Sequence, residues 1–347
     1  DGSFSQYSLT YHRVMLDTFS MVEIWRRALQ LEALAPAWYS RSAAAAQWLL
    51  AMVRPCGDAP NLGANDGARL LPLSRTDYRD FRPSVQLAGA LFCGQRAISE
   101  PGDWDTALAL LGLPEATGCA DENRSQQFDD GGYAVLRNND SFVLFRYPRF
   151  SFRPGQADLL HLDFWLNGRN LLRDGGSFSY NTDEPWQSYF PGVQSHNTIQ
   201  FGGRDQMPRL SRFLYGEWLK TSRFEPLTKT PAGHTMLAGF RDYQGASHTR
   251  QLLLSKGALR VEDEISGFSR NAVLRWRLKP GSWELQGQTL VCDGVSIEVV
   301  SSMPVIRCEL VTGWESRYYG QKSELPVLEI EVAEAGRLTT NITWNSL

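Results

Sequence analysis

The pattern of apolar and polar positions changes once along the chain. Before about Glu122, apolar residues recur at helical spacing. Residues 11–29 set Met15, Leu16, Phe19, Val22 and Leu29 near one stripe, residues 42–54 form an Ala-rich run stopped by Pro55, and further helices are predicted over 84–92 and 103–111. Helices without intervening strands predict a helix-on-helix layer. Asp129-Asp130-Gly131-Gly132 reads as a turn, and beyond it alternation takes over. Strands are predicted from 133 to 137 and at 141–146, 159–166, 197–201, 248–254, 259–265, 272–278, 295–300, 305–311 and 327–332, a many-stranded antiparallel region. A helical block followed by a β block predicts an α+β chain of two domains, 1–125 and 126–347, with a cleft between them.

Charge narrows the functions open to such a chain. Its 347 residues carry 35 Lys+Arg and 38 Asp+Glu, a net charge of −3, with no block of Lys or Arg. That excludes the electrostatic footprint of a nucleic-acid-binding protein, although a local basic cluster can still hold an acidic polymer. The richest apolar stretch, 43–53, is interrupted by Gln47, so no membrane span is predicted. Aromatic residues reach 12%; Trp and Tyr suit sugar rings, and large β cores use the same residues. The five cysteines show no CxxC; Cys292 and Cys308 lie in or beside neighbouring predicted strands, as a pair or as two buried thiols. Asp1-Gly2-Ser3 opens with neither an initiator Met nor a signal segment, which reads as a processed or truncated piece of a longer chain.

Candidate chemistry gathers in three places. The first is the Ser- and Tyr-rich entry to the first helix, where Tyr11 and His12 are either a proton-transfer pair or part of a helix start capped by Thr10. The second is the polar loop 61–67, with Asn65 and Asp66, which also reads simply as a turn. The third runs through Gln156, Asp158, His161 and Asp163, then Asp174-Gly175-Gly176-Ser177-Phe178-Ser179-Tyr180, then Ser195-His196-Asn197-Thr198. Titratable groups from adjacent β segments predict either a site or a polar network bracing loops.

Asp1-Gly2-Ser3 followed by Ser8, Tyr11 and His12 resembles the toroid motif of heparinase II/III-like polysaccharide lyases. The 156–160, 168–180 and 195–198 segments resemble that family's β-domain signature in the same order, so the likeness covers roughly residues 1–220. It implies a partial (α/α) toroid followed by an antiparallel β-sandwich, a periplasmic or secreted location, and an acidic polysaccharide as partner. It also implies β-elimination at a uronic acid, with Tyr11 as the acid/base and its pKa lowered by neighbouring cations or donors. His196 is the second expected catalytic group, and His12, Asn65, Asp66, Tyr180, Tyr189 and Asn197 are expected to bind substrate.

The resemblance further implies a structural metal, zinc being the obvious candidate, on a His, an Asp and a second His. Here Gln156 stands where the first His is expected, so Asp174 and His196 form an incomplete set. His161 can substitute only if its strand is bent, since a regular strand turns it to the opposite face from Gln156. Two other readings stay open. One is a non-catalytic polysaccharide-binding or exopolysaccharide-assembly protein. The other is a glycoside hydrolase using carboxylates such as Asp66 and Asp158. The helices before 122 are too few to cover their own apolar faces, which predicts covering by the β part, an upstream fragment of the same precursor or a second copy.

Overall fold

The computed structural model describes residues 1–114, 116, 118–119 and 124–345. Helix α1 (Leu9–Ala28) begins where the Ser8 hydroxyl accepts from Tyr11 N at 3.1 Å and donates to Ala64 O at 2.5 Å, so the cap is Ser8 and not Thr10. Its buried face is not the expected apolar stripe. Leu9, His12, Leu16, Ser20 and Glu23 are buried, while Val22, Trp25 and Leu29 are exposed. The polar face turns inward because its groups find partners. Arg13 lies over Tyr78 and Phe81 and donates to Tyr78 O and Ala68 O, and Glu23 accepts from Arg26, Arg27 and Tyr39.

Helix α2 (Pro36–Met52) opens on a proline at its first position and ends before Pro55. After it, α3 (Arg82–Ala88) runs on into a π turn over Gly89–Cys93, closed by left-handed Gly94, and α4 (Thr106–Leu110) follows. The expected change of pattern at Glu122 falls outside the described residues.

The next five strands, β1 (Gln126–Phe128), β2 (Tyr133–Asn138), β3 (Ser141–Arg146), β4 (Leu162–Leu166) and β5 (Arg169–Leu172), make one antiparallel sheet in sequence order. A short helix α5 (Trp186–Tyr189) precedes β6 (Ile199–Phe201) and the small hairpin of β7 (Arg209–Ser211) and β8 (Leu214–Tyr215). Long hairpins come next: β9 (Thr221–Thr230), β10 (Gly233–Arg241), β11 (Ser247–Ser255) and β12 (Ala258–Ser266). The chain then adds β13 (Ala272–Arg277), β14 (Glu284–Gln286), β15 (Thr289–Cys292), β16 (Val295–Ser301), β17 (Val305–Glu315), β18 (Ser323–Val332) and β19 (Gly336–Trp344).

These strands form a sandwich. One layer is an eight-stranded sheet ordered β14-β15-β16-β19-β12-β11-β10-β9. The other joins the five-stranded sheet to a four-stranded one ordered β17-β18-β13-β6, through Arg173 N to Arg277 O and Lys279 N to Leu171 O, each at 2.8 Å. In β11 and β12 burial alternates, as expected of a sheet with one wet face. By contrast β3 and β4 are buried at every position, because the sheet has a second cover. Ala134, Leu136, Val143, Phe145 and Phe164 face the sandwich interior, whereas Tyr133, Val135, Phe142, Leu144 and Trp165 share a core with the helices, with Trp48 edge-on to Tyr133 at 5.3 Å. Cys292 and Cys308 are free thiols, the first buried and the second half-buried.

Candidate functional site

Where the helices meet the sheet, a cleft of about 480 Å³ opens beside the first turn of α1. Tyr11, Met15, Phe152, Arg153, Tyr180 and Phe213 line it. The Ser8 cap sets the position of Tyr11, and the loop after β5 brings up Tyr180, whose backbone N donates to the Tyr319 hydroxyl at 3.1 Å. The two phenols meet, Tyr11 OH to Tyr180 OH, at 2.9 Å. Asp66, exposed on the 61–67 loop, also acts on Tyr11. Burial pushes the Tyr11 phenol up to about 12; the Tyr180 hydroxyl draws it down and the Asp66 charge pushes it further up. Tyr180 is raised as well, by burial and then by Tyr11. Tyr11 therefore stands protonated at neutral pH, against the expectation of a lowered pKa. Arg209 and Arg212 line a recess that shares Tyr180 and Phe213 with this cleft.

A second polar group lies inside the β-sandwich. The segment 159–161 is not a strand: Leu160 takes φ 59° and turns His161 toward Asp174 before β4 begins. Asp174 Oδ2 sits 2.8 Å from His196 Nδ1 and 3.5 Å from His161 Nε2, and Asp174 Oδ1 accepts from Gly176 N at 2.7 Å. Burial raises Asp174, but the two imidazoles and the hydrogen bond from His196 outweigh it and hold the carboxyl below its ordinary value. Burial pushes His161 down to about 3, so its ring is neutral. Asp163, buried beside Asp174, is raised to about 8 by burial and then by that neighbouring charge.

A comparison with curated proteins found no match. A family profile described as Heparinase II/III-like, C-terminal, matches residues 120–345. The chain belongs to the heparinase II/III-like family. Among solved structures it is similar to a heparinase III, with a TM-score of 0.76 and 14% identity over 99% of this chain and 52% of the other. It also resembles a heparan sulfate lyase mutant from Pedobacter heparinus, at 0.72 and 17% over 100% and 53% of the two chains. The same holds for a chondroitin AC lyase mutant from Streptomyces coelicolor A3, at 0.60 and 13% over 100% and 54%. At these identities the likeness is one of fold, and the chain spans about half the length of the structures it matches.

Of the residues expected at the site, Tyr11, Tyr180 and Asp66 come together. Five others do not reach that cleft. His12 is fully buried, stacked on Trp48 with Nε2 on Ala45 O at 2.9 Å, and burial pushes it down to about 4. Asn65 braces its loop, accepting from Gly67 N and the Tyr78 hydroxyl. Tyr189 OH accepts from Trp314 N at 2.9 Å and from Arg277, at the end of β13. His196 and Asn197 are wholly buried: His196 on Asp174, and Asn197 with its amide on Leu162 O, Arg173 O and Arg277 N. A polar residue that braces the fold and one that seeks a ligand look alike in sequence, which is why these five read as site residues. Sequence reasoning missed Arg153, Phe213 and Tyr319, which come from stretches with no motif; Arg153 lies three residues before Gln156.

The metal expected of this family can be tested on the donor chemistry. The ligand atoms of His161, Asp174 and His196 lie within 4.8 Å of one another. His161 Nδ1, however, accepts the Asn197 N–H at 2.9 Å, so in the neutral ring the proton sits on Nε2, the atom that faces Asp174. Gln156 directs its amide N at Gly176 O and offers only an amide oxygen, a poor zinc ligand. Asp174 already takes hydrogen bonds at both oxygens. The residues present do not fit a closed zinc site. His161 substitutes for the missing His in position but not in protonation.

Proposed function

We propose that the chain is part of a polysaccharide lyase that cleaves an acidic, uronic-acid-containing polysaccharide by β-elimination, in a periplasmic or secreted setting. The observation that carries this reading is the Tyr11–Tyr180 hydroxyl pair at 2.9 Å on the wall of a cleft that also carries Arg153. Elimination requires removal of a weakly acidic proton next to a carboxylate and protonation of the leaving oxygen. Arg153, with Arg209 and Arg212 in the adjoining recess, supplies the charge that neutralises the carboxylate. Tyr11 moves the proton, with Tyr180 as its hydrogen-bond partner. Lyases among the structures of like fold support the same direction. In this reading α1 to α4 are part of an (α/α) toroid and residues from 126 on are the sandwich domain.

The hydrolase alternative finds less support. Asp158 is buried and lies 3.6 Å from Arg146, so it does not flank a common cleft with exposed Asp66. A set of uronate polysaccharides, followed in the ultraviolet for unsaturated products, tests the proposal. Tyr11→Phe should cut kcat by about 10²–10⁴-fold with polymer affinity nearly unchanged. Hydrolysis products without unsaturation, or binding without turnover, would replace it by one of the other two readings.

A further inference from the structure

The turn that joins β17 to β18, residues 316–322, lines neither the Tyr11 cleft nor the recess beside it. It is nevertheless bonded to both walls of the site. Toward the loop after β5, Ser316 N donates to Gly175 O and Gly320 N to Phe178 O, each at 2.7 Å, and the Tyr319 hydroxyl accepts the Tyr180 N–H at 3.1 Å. Toward the helical part, Asn61 Nδ2 donates to Ser316 O at 2.7 Å, the Tyr318 hydroxyl donates to Asp77 Oδ1 at 2.9 Å, and Arg317 pairs with Asp58.

The loop after β5 needs such a grip. Phe178 sits in the left-handed region at φ 46°, a conformation that a residue with a bulky side chain keeps only where its surroundings fix it. Gly320 fixes the Phe178 carbonyl, and the Lys322 ammonium, 4.5 Å from the Trp186 ring, lies 5.5 Å from the Phe178 ring. Two residues on, Tyr319 holds Tyr180 twice, by the backbone hydrogen bond and by a ring set at 63° with centroids 5.6 Å apart. The other wall rests on the same residue. A Cβ on Gly67 would lie 3.2 Å from Tyr319 Cβ, so the loop that carries Asp66 closes directly onto it. A bond between two hydroxyls is good only to about 3.0 Å, so a small drift of Tyr180 would part it from Tyr11, now 2.9 Å away.

We infer that Tyr319 is a positioning residue of the Tyr11 site: its hydroxyl, bonded to the Tyr180 backbone, sets the Tyr180 phenol against that of Tyr11. The inference rests on the lyase reading for its reaction. It goes beyond that reading in giving a part to the β17–β18 turn, which lies outside the segments that carry the family likeness.

Tyr319→Phe keeps the ring against Tyr180 and Gly67 and removes only the hydroxyl. In the full chain acting on a uronate polymer, it should lower kcat about tenfold or more, with KM changed less than about twofold. In a Tyr180→Phe background the same substitution should cost less than about twofold, because the phenol that it positions is already gone. A second measurement needs no turnover. With tyrosines labelled at Cζ and followed by nuclear magnetic resonance, Tyr11→Phe should move the Tyr180 signal, and should move it less than about half as far in the Tyr319→Phe background. An unchanged kcat, an equal cost with and without the Tyr180 hydroxyl, or an undiminished shift overturns the inference. If no uronate polymer is turned over yet the Tyr180 signal responds as expected, the lyase reading fails and the positioning of the pair stands. Turnover that Tyr319→Phe leaves unchanged is the reverse case.

Discussion

Asp163 shows at the scale of one residue how burial sets chemistry in this chain. Its Oδ1 accepts from Trp165 Nε1 and Asn170 Nδ2, and its carboxyl is raised to about 8. The folded state thus keeps a proton that the unfolded chain releases near pH 4, so this contribution to stability is full below about pH 4 and is lost as pH rises toward 8. Asp163→Asn keeps the accepting oxygen and removes the titration. The melting temperature of the variant should gain on the wild type between pH 5 and pH 8 by about 2–4 °C or more, the equivalent of roughly 1 kcal/mol. A difference that does not change with pH would place the proton elsewhere. Tyr11 follows the same logic in the opposite role. With its phenol up at about 12, turnover on a uronate polymer should rise steadily from pH 7 to pH 10, and Asp66→Asn, which removes a charge that raises Tyr11, should move that rise to lower pH. Tyr11 and Tyr180 were legible in sequence through the order of their motifs, and Asp66 only as a polar residue of the 61–67 loop. His12 and Asn197 were misplaced because polarity alone does not tell a group facing a cleft from one satisfying a core.

At the scale of elements, legibility follows how each segment is covered. Helix α2 was plain from its alanines and Pro55, and β3 was read to its bounds, 141–146. Helix α1 was found but rotated, because polar groups with partners of their own, Arg13 and Glu23, share its buried face with Leu9 and Leu16. Strands β9 and β10 escaped: β9 shows no two-residue burial alternation and includes Pro226, features of an edge strand. The reason for the glycines after Asp174 is tertiary. Gly176 has φ +75°, and a Cβ there would lie 2.3 Å from Ser316 O and 2.4 Å from Asn61 Nδ2, where the turn, the 61–67 loop and the segment after β17 cross. Gly176→Ala should therefore destabilise the fold by about 1–3 kcal/mol and, by displacing Tyr180, lower kcat more than it changes KM. The same turn holds Asp174 against His196. Since the donors there do not complete a zinc site, prolonged chelation should leave the melting temperature within about 1 °C and release less than stoichiometric zinc, read by elemental analysis.

The whole molecule is held together by one sheet with two covers. Phe128, Tyr133, Val135, Phe142, Leu144 and Trp165 give one face of the first sheet to the same core as Trp48, Leu49 and Phe81 of the helical part. Ion pairs and hydrogen bonds extend that union to the far end of the chain: Asp58 pairs with Arg79 and Arg317, and Asn61 donates to Ser316 O at 2.7 Å. On the other side Trp25 of α1 and, just beyond its end, Leu29 and Leu31 are more than half exposed, at 59%, 68% and 57%. The helices thus depend on the sheet for one face and carry a bare apolar edge on another. Residues 1–114 expressed alone should aggregate or melt without cooperativity, because the removed sheet takes with it the large side chains that cover Trp48. Residues 124–347 retain the sandwich interior from Leu136 and Phe145 through Leu252 and Val261 to Trp276 and Ile342, and should unfold in a single transition. Exposing the outer face of the five-stranded sheet should nevertheless make that piece self-associate, seen as a concentration-dependent mass in sedimentation. A soluble, cooperatively melting monomer of residues 1–114 would contradict the shared core and, with it, a Tyr11 cleft built jointly by helices and sheet.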